Sequence, residues 1–216
     1  MLAHPERSRF VLAVFAMVAV VAASNVLVQF PVQAMLGPLN LADLLTWGAF
    51  TYPVAFLVTD LTNRTLGPRR AWLVVVCGFA VAVVLSIVLA TPRIAIASGS
   101  AFLFAQLLDI AIFDRLRRGK WWHAPLFSSL VSSALDTVIF FSIAMAPAFG
   151  ALDTMMGRED GSLAFPTPFL GFGGEVPLWV SLGAGDFLVK LLLAALLLAP
   201  YKSVRDLLAA RSPSLA

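Results

Sequence analysis

Four side chains near the middle of this chain return as a set. Phe102, Gln106, Asp109 and Phe113 recur 27 residues later as Ser129, Ser133, Asp136 and Phe140. Steps of four, three and four put each set on one helical face. Asp109-Ile110-Ala111-Ile112-Phe113 also matches Asp136-Thr137-Val138-Ile139-Phe140. The chemistry on offer is recognition. An ionised carboxylate accepts from two adjacent N–H groups, and an amide such as Gln106 both donates and accepts. The rings of Phe113 and Phe140 could sandwich a flat heterocycle. A carboxyl in a low-dielectric site can also exchange a proton. Both acids lie in apolar runs, where insertion costs roughly 2.5–3.5 kcal/mol each. A third pair, Asp186 and Lys190, shares a face at a spacing of four and is expected to complete the site or to gate it. Asn25, inside the first apolar run, is grouped with that coupling or gating role.

The elements that hold these residues must be membrane helices. Of 216 residues, 60% are hydrophobic and 12% charged, about half the charge of a soluble domain. Six runs of roughly 20 residues can be drawn, at about 9–30, 41–62, 72–90, 94–114, 125–147 and 177–199. Backbone in lipid must satisfy itself, so an all-α polytopic fold is expected, one transmembrane transporter domain over 1–216. Its fourth and fifth helices form a tandem, sequence-related pair. The first run follows Arg7 and Arg9 and is too long for a signal-peptide core, so it reads as a retained helix. Span three carries little that is polar beyond Ser86 and reads as a lipid-facing structural helix.

Twelve of the fifteen Lys and Arg residues fall before span one, after span two, between spans four and five, or in the tail. Arg93 and Arg158 lie in the opposite loops, and Lys190 lies within a span. Both termini are therefore expected in the cytoplasm. Asp43, Asp60 and Asp114 sit by span ends and read as caps or snorkelling groups. Trp121, Trp122 and His123 read as an interfacial anchor. The one long connection, 148–176, carries Asp153, Glu159, Asp160 and Glu175 and the run PTPFLGFGG. It reads as a lid over an entrance, or as a loop whose Phe165, Phe169 and Phe172 rest on headgroups.

Composition also excludes. Cys77 is the single cysteine, and the histidines are His4 and His123, so neither an internal disulfide nor a metal site is expected. The net charge of +3, in short clusters between apolar runs, is no nucleic-acid footprint. No ATP-binding fingerprint is present, which leaves a non-catalytic, substrate-binding subunit of a multisubunit vitamin importer as an alternative. Gly183-Ala184-Gly185-Asp186 fits the pattern of intramembrane aspartyl proteases. No Tyr-Asp pair or Pro-Ala-Leu accompanies it, and Lys190 follows one turn on. No enzymatic activity is expected.

Several segments resemble one bacterial family. Thr59-Asp60-Leu61-Thr62-Asn63 with Gly67 is similar to its segment after the second span. Ala97 to Phe113, with Gln106 and Asp109, resembles its fourth span. Ser132-Ser133-x-x-Asp136-Thr137-x-x-Phe140 resembles its fifth, and Gly185–Lys190 its last. This is the queuosine precursor transporter family, also called the vitamin uptake transporters. The resemblance implies uptake of 7-cyano-7-deazaguanine or 7-aminomethyl-7-deazaguanine across the bacterial cytoplasmic (inner) membrane, with no cofactor. The expected partners are that small deazapurine and membrane lipid. A homo-oligomer or an ATPase partner is left open. The family's Ser-Gln before the second acid is Ser132-Ser133 here.

Overall fold

The computed structural model describes residues 4–37, 39–41 and 45–210. Asp43 and Arg211 lie outside the described residues. The architecture is all-α: α1 (His4–Leu27), α2 (Gly48–Thr51), α3 (Val54–Leu66), α4 (Pro68–Leu89), α5 (Pro92–Leu116), α6 (His123–Met145), α7 (Ala151–Met155), α8 (Leu178–Leu196) and α9 (Leu198–Ala210). Two small antiparallel hairpins complete it, β1 (Met35–Leu36) with β2 (Leu39–Asn40) and β3 (Pro166–Pro168) with β4 (Glu175–Pro177). Among the described residues five helices are long and apolar enough to cross a membrane: Glu6–Leu27, Pro68–Leu89, Pro92–Leu116, His123–Met145 and Leu178–Ala210. This is a multi-pass membrane protein.

The expected span at 41–62 differs most from what forms. Helix begins only at Gly48, halts at Tyr52-Pro53, and then runs four residues past the expected end, to Leu66. Pro53 has no N–H for the ladder, which is why α2 and α3 separate there. At the other end Gly67 adopts φ 85°, a conformation only glycine takes easily, and Pro68 opens α4 at once. Between α4 and α5 the punctuation is Thr91-Pro92. The Thr91 hydroxyl accepts from the Ile94 N–H at 3.4 Å, a side-chain cap ahead of a first-turn proline. The last expected span, 177–199, continues through α9 to Ala210.

A dry core joins α1, α3, α4 and α5 through Met17, Val21, Ala55, Val74, Val75, Phe102 and Ile110. Gly78 lets α1 approach α4: a Cβ there would lie 2.6 Å from Met17 Cγ. The opposite face of α4 leaves Trp72, Val84, Ile87 and Val88 exposed, as expected of a helix facing lipid. The hairpin of α5 and α6, joined by residues 117–122, is extensively packed and carries half of the buried polar side chains among the described residues.

Candidate functional site

Depth along the α5–α6 hairpin decides which residues can meet. The two helices run antiparallel, so height can be counted from the 117–122 turn at 1.5 Å per residue. Gln106 and Ser133 each lie ten residues from the helix ends at that turn, and so share one level. Asp109 lies nearer the turn and Asp136 farther from it, about 9 Å apart along the axis. Both acids are buried, at 0% and 3% exposure. The structure gives them different surroundings.

Asp136 belongs to a far cluster built from α6, α8 and the break between α2 and α3. Lys190 Nζ of α8 donates to Asp136 Oδ2 at 2.6 Å and to Thr137 Oγ1 at 3.2 Å. The same ammonium donates to Asp186 Oδ2, one turn earlier on α8. Thr137 Oγ1 donates to Asp186 at 2.9 Å, and Tyr52 OH donates to Asp136 Oδ1 at 3.2 Å. Pro53, by breaking the helix, leaves Tyr52 at the break, edge-on to Phe102 at 6.1 Å. Asp186 and Lys190 are therefore not a closed pair: Asp136 is the lysine's second anion, a partner that local spacing did not reveal.

Asp109 belongs to a near cluster with no lysine. Its polar neighbours include the Asp60 carboxyl of α3 and the Ser128 hydroxyl of α6. Among the described residues neither Asp109 oxygen has a partner in good hydrogen-bond geometry, although Ser128 and Asp60 lie beside it. Asp60 is 2% exposed, which corrects its reading as a cap or snorkelling group. Because α3 runs a turn beyond the expected end, Asp60 sits inside the bundle. Ser128 donates to Asp60 Oδ1 at 3.3 Å. Next to Asp60, Thr59 donates to Gln106 Oε1 at 2.6 Å, and about one turn on Asn63 Nδ2 donates to the Ile110 carbonyl at 3.1 Å. The segment Thr59-Asp60-x-x-Asn63 is thus the partner surface for Gln106-x-x-Asp109. Sequence reading had its motif but not its role. Gln106 Nε2, Asn63 Oδ1 and Ser132 Oγ are buried and unpartnered, as are both Asp109 oxygens.

A narrow cleft joins the two clusters. Asp60, Ser129, Ser133 and Lys190 line it, with Pro53, Phe56 and Tyr201. Its free space is about 10 Å³, room for a water and not for a bicyclic ring. Phe113 and Phe140 are not brought together. Counted along the hairpin they lie roughly 20 Å apart. Phe113 packs edge-on to Tyr201 at 6.4 Å, with the Arg64 guanidinium 5.3 Å over its ring, while Phe140 packs on Phe141. Equivalent positions on antiparallel helices sit at mirrored depths, so a shared sandwich cannot form in this arrangement. Asn25 is also apart from both clusters: it donates to the Val21 carbonyl and accepts from Ser86 at 3.4 Å, bridging α1 to α4.

The connection 148–176 is folded against α5. Arg93, 1% exposed, donates to the Ile143 and Ala146 carbonyls and to Asp153, Asp160 and Ser162. Its hydrogen bond holds the Asp153 carboxyl below the usual carboxylate range. Farther along, Leu170 takes φ 52°, its N–H donates to Ser181 Oγ at 2.8 Å, and its side chain lies against Gly185 of α8. Phe165 and Phe172 are exposed.

A helical multi-pass chain whose interior carries paired acids, amides and hydroxyls is built to handle a polar solute within the membrane. Comparison with known proteins makes this specific. Residues 46–91 and 84–204 match the family described as "Putative vitamin uptake transporter", and the chain belongs to that family. It is 33% identical to the "Probable queuosine precursor transporter" of Haemophilus influenzae over 208 residues, 84% of this chain and 79% of the relative. It is 36% identical to the "Queuosine precursor transporter" of Escherichia coli over 146 residues, 58% of this chain and 63% of the relative. A "Probable queuosine precursor transporter" of Bacillus subtilis is 28% identical over 134 residues, 49% of this chain and 58% of the relative. No solved structure matches. The chain is a transporter and not an enzyme. Gly183-Ala184-Gly185-Asp186 is accordingly no protease motif, and its acid is tied to Lys190 and Thr137.

Proposed function

We propose that this protein takes up a queuosine precursor, 7-cyano-7-deazaguanine or 7-aminomethyl-7-deazaguanine, across the bacterial cytoplasmic membrane. The observation that carries the reading is the pattern of unmet groups at Gln106 and Asp109. Asp109 offers two unpartnered acceptors. Thr59 occupies Gln106 Oε1, which fixes the amide so that Nε2 remains as a donor. Two acceptors beside one donor complement a guanine-like edge, whose ring N–H and amino group donate while its carbonyl accepts. The names of the relatives support the same substrate class.

Ser133 stands level with Gln106 and lines the cleft, where its hydroxyl can reach the solute. Asp136, Asp186 and Lys190 form the far wall, and their ion pairs must yield as the cleft widens. Phe113 and Phe140 serve the two ends of the hairpin rather than one ring. The fourth and fifth spans, α5 and α6, carry the same motif as a tandem pair. The chain crosses six times, with α2 and α3 as one broken crossing. Their combined 48–66 stretch is about 28 Å long, close to the hydrocarbon thickness of ~30 Å. Six crossings put both termini on one side, and the basic residues put that side in the cytoplasm.

Purified protein in liposomes, supplied with each labelled precursor, tests the reading. Uptake by this chain alone is expected, and Asp109→Asn is expected to abolish it while leaving membrane insertion intact. Normal uptake by that variant, or uptake only with a separate ATPase, would reject it.

A further inference from the structure

Resting on Asp109 as the carboxylate that meets the substrate, we infer that Asp60 and Asp109 together hold one proton, which enters the cell with the substrate. The geometry is a pair of buried carboxyls on neighbouring helices, 2% and 0% exposed, beside each other. The charged and titratable groups around them are accounted for helix by helix. On α3, Arg64 follows one turn after Asp60, but its guanidinium donates to Tyr201 OH and to the Arg117 carbonyl. From α6 the Ser128 hydroxyl donates to Asp60, and Ser129 and Ser133 line the same cleft. Lys190 of α8 reaches the same cleft with its ammonium committed to Asp136 and Asp186. From α9 come Tyr201, which accepts from Arg64, and Arg205, which lies over Trp121 and beside Asp206.

Two carboxylates side by side in a dry site cannot both stay ionised. A proton on Asp60 turns it into a donor, and Asp109 keeps its charge for the solute. Unpartnered atoms nearby point to a ligand rather than to a closed structural pair. Asn63 Oδ1, one turn from Asp60, is a buried acceptor without a donor, and Gln106 Nε2 is a buried donor without an acceptor. In the step itself a proton from outside water binds Asp60. The substrate's N–H groups bind the Asp109 carboxylate. Both are released to the cytoplasm, the proton leaving Asp60 for water. No bond of the substrate changes. A substrate seated on two ionised acids would leave a second negative charge buried and unpaired, which is the cost that couples the two events.

Substrate binding measured at pH 6 and pH 8 on the purified transporter tests this. Affinity is expected to fall as pH rises, approaching about tenfold per unit for one linked proton. Asp60→Asn, which mimics the protonated acid, is expected to bind equally at both values and to lose uphill uptake driven by an imposed pH gradient. An infrared band of a protonated carboxyl is expected in the substrate-free wild type at pH 6, weakened at pH 8 as the pair loses its proton, and absent from Asp60→Asn. No binding of either precursor at any pH would reject the substrate reading, and the infrared band would then decide the proton pair by itself. Binding that is independent of pH in the wild type, the same pH dependence in Asp60→Asn, or no such band overturns the inference.

Discussion

The near and far clusters hold the same kind of acid at different electrical balance. In the far one, a single ammonium serves Asp136 and Asp186, with Thr137 and Tyr52 supplying further hydrogen bonds. In the near one, Asp60 and Asp109 face each other with one serine hydroxyl between them and no cation in hydrogen-bond reach among the described residues. The first arrangement is satisfied as it stands. The second is unfinished, and an unfinished polar site in a membrane interior is what a solute can complete. The lesson is that a repeated motif need not mean a repeated role. Its surroundings decide whether the acid is structural or available.

Substitutions can break or sharpen this contrast. The largest effect belongs to Asp109→Asn. Replacing one of two acceptors by a donor is expected to cut uptake about 100-fold or more, since a site built to bond a polar edge rejects a mismatched partner strongly. Transport with labelled precursor measures it. Lys190→Met comes next. It strands the buried Asp136 carboxylate and the partly buried Asp186 and is expected to cost about 3–5 kcal/mol of stability, read as a fall in the detergent unfolding midpoint.

A third comparison uses one substitution in both places. Asp136→Asn leaves Lys190 with one anion and is expected to lower the unfolding midpoint. Asp60→Asn keeps a neutral, hydrogen-bonding side chain in place of the protonated acid and is expected to leave stability within about 1 kcal/mol. Equal losses would erase the distinction between the clusters. The smallest effect lies outside both. Asp153 is held below its ordinary range by Arg93, so its contribution to docking the 148–176 connection is complete above the unfolded value near 4 and is lost as pH falls through the lowered one. Limited proteolysis of that connection is expected to accelerate only in acid, with no change near neutral pH.

Much of this was legible in the chain. Apolar runs located five helices because lipid imposes length and composition together. The steps between Phe102, Gln106, Asp109 and Phe113 put them on one buried face, and all four are buried. What local spacing could not reveal was partnership between helices. Asp60 looked terminal because hydropathy fades after Leu61, yet hydrogen bonding carries α3 to Leu66 and takes the acid inside. Lys190 showed its partner one turn away and concealed Asp136, which is 54 residues distant. The Phe113–Phe140 sandwich failed for a topological reason. A spacing that aligns two residues in sequence sends them to opposite ends of a hairpin.

The shared height of Gln106 and Ser133 has a mechanical consequence. It marks a fulcrum, with Asp109 on one arm and Asp136 on the other. Any tilt of α5 against α6 about that level spreads the helices on one side while pressing them together on the other. A seesaw of this kind exposes one acid to its own aqueous face only by sealing its counterpart away from the opposite one.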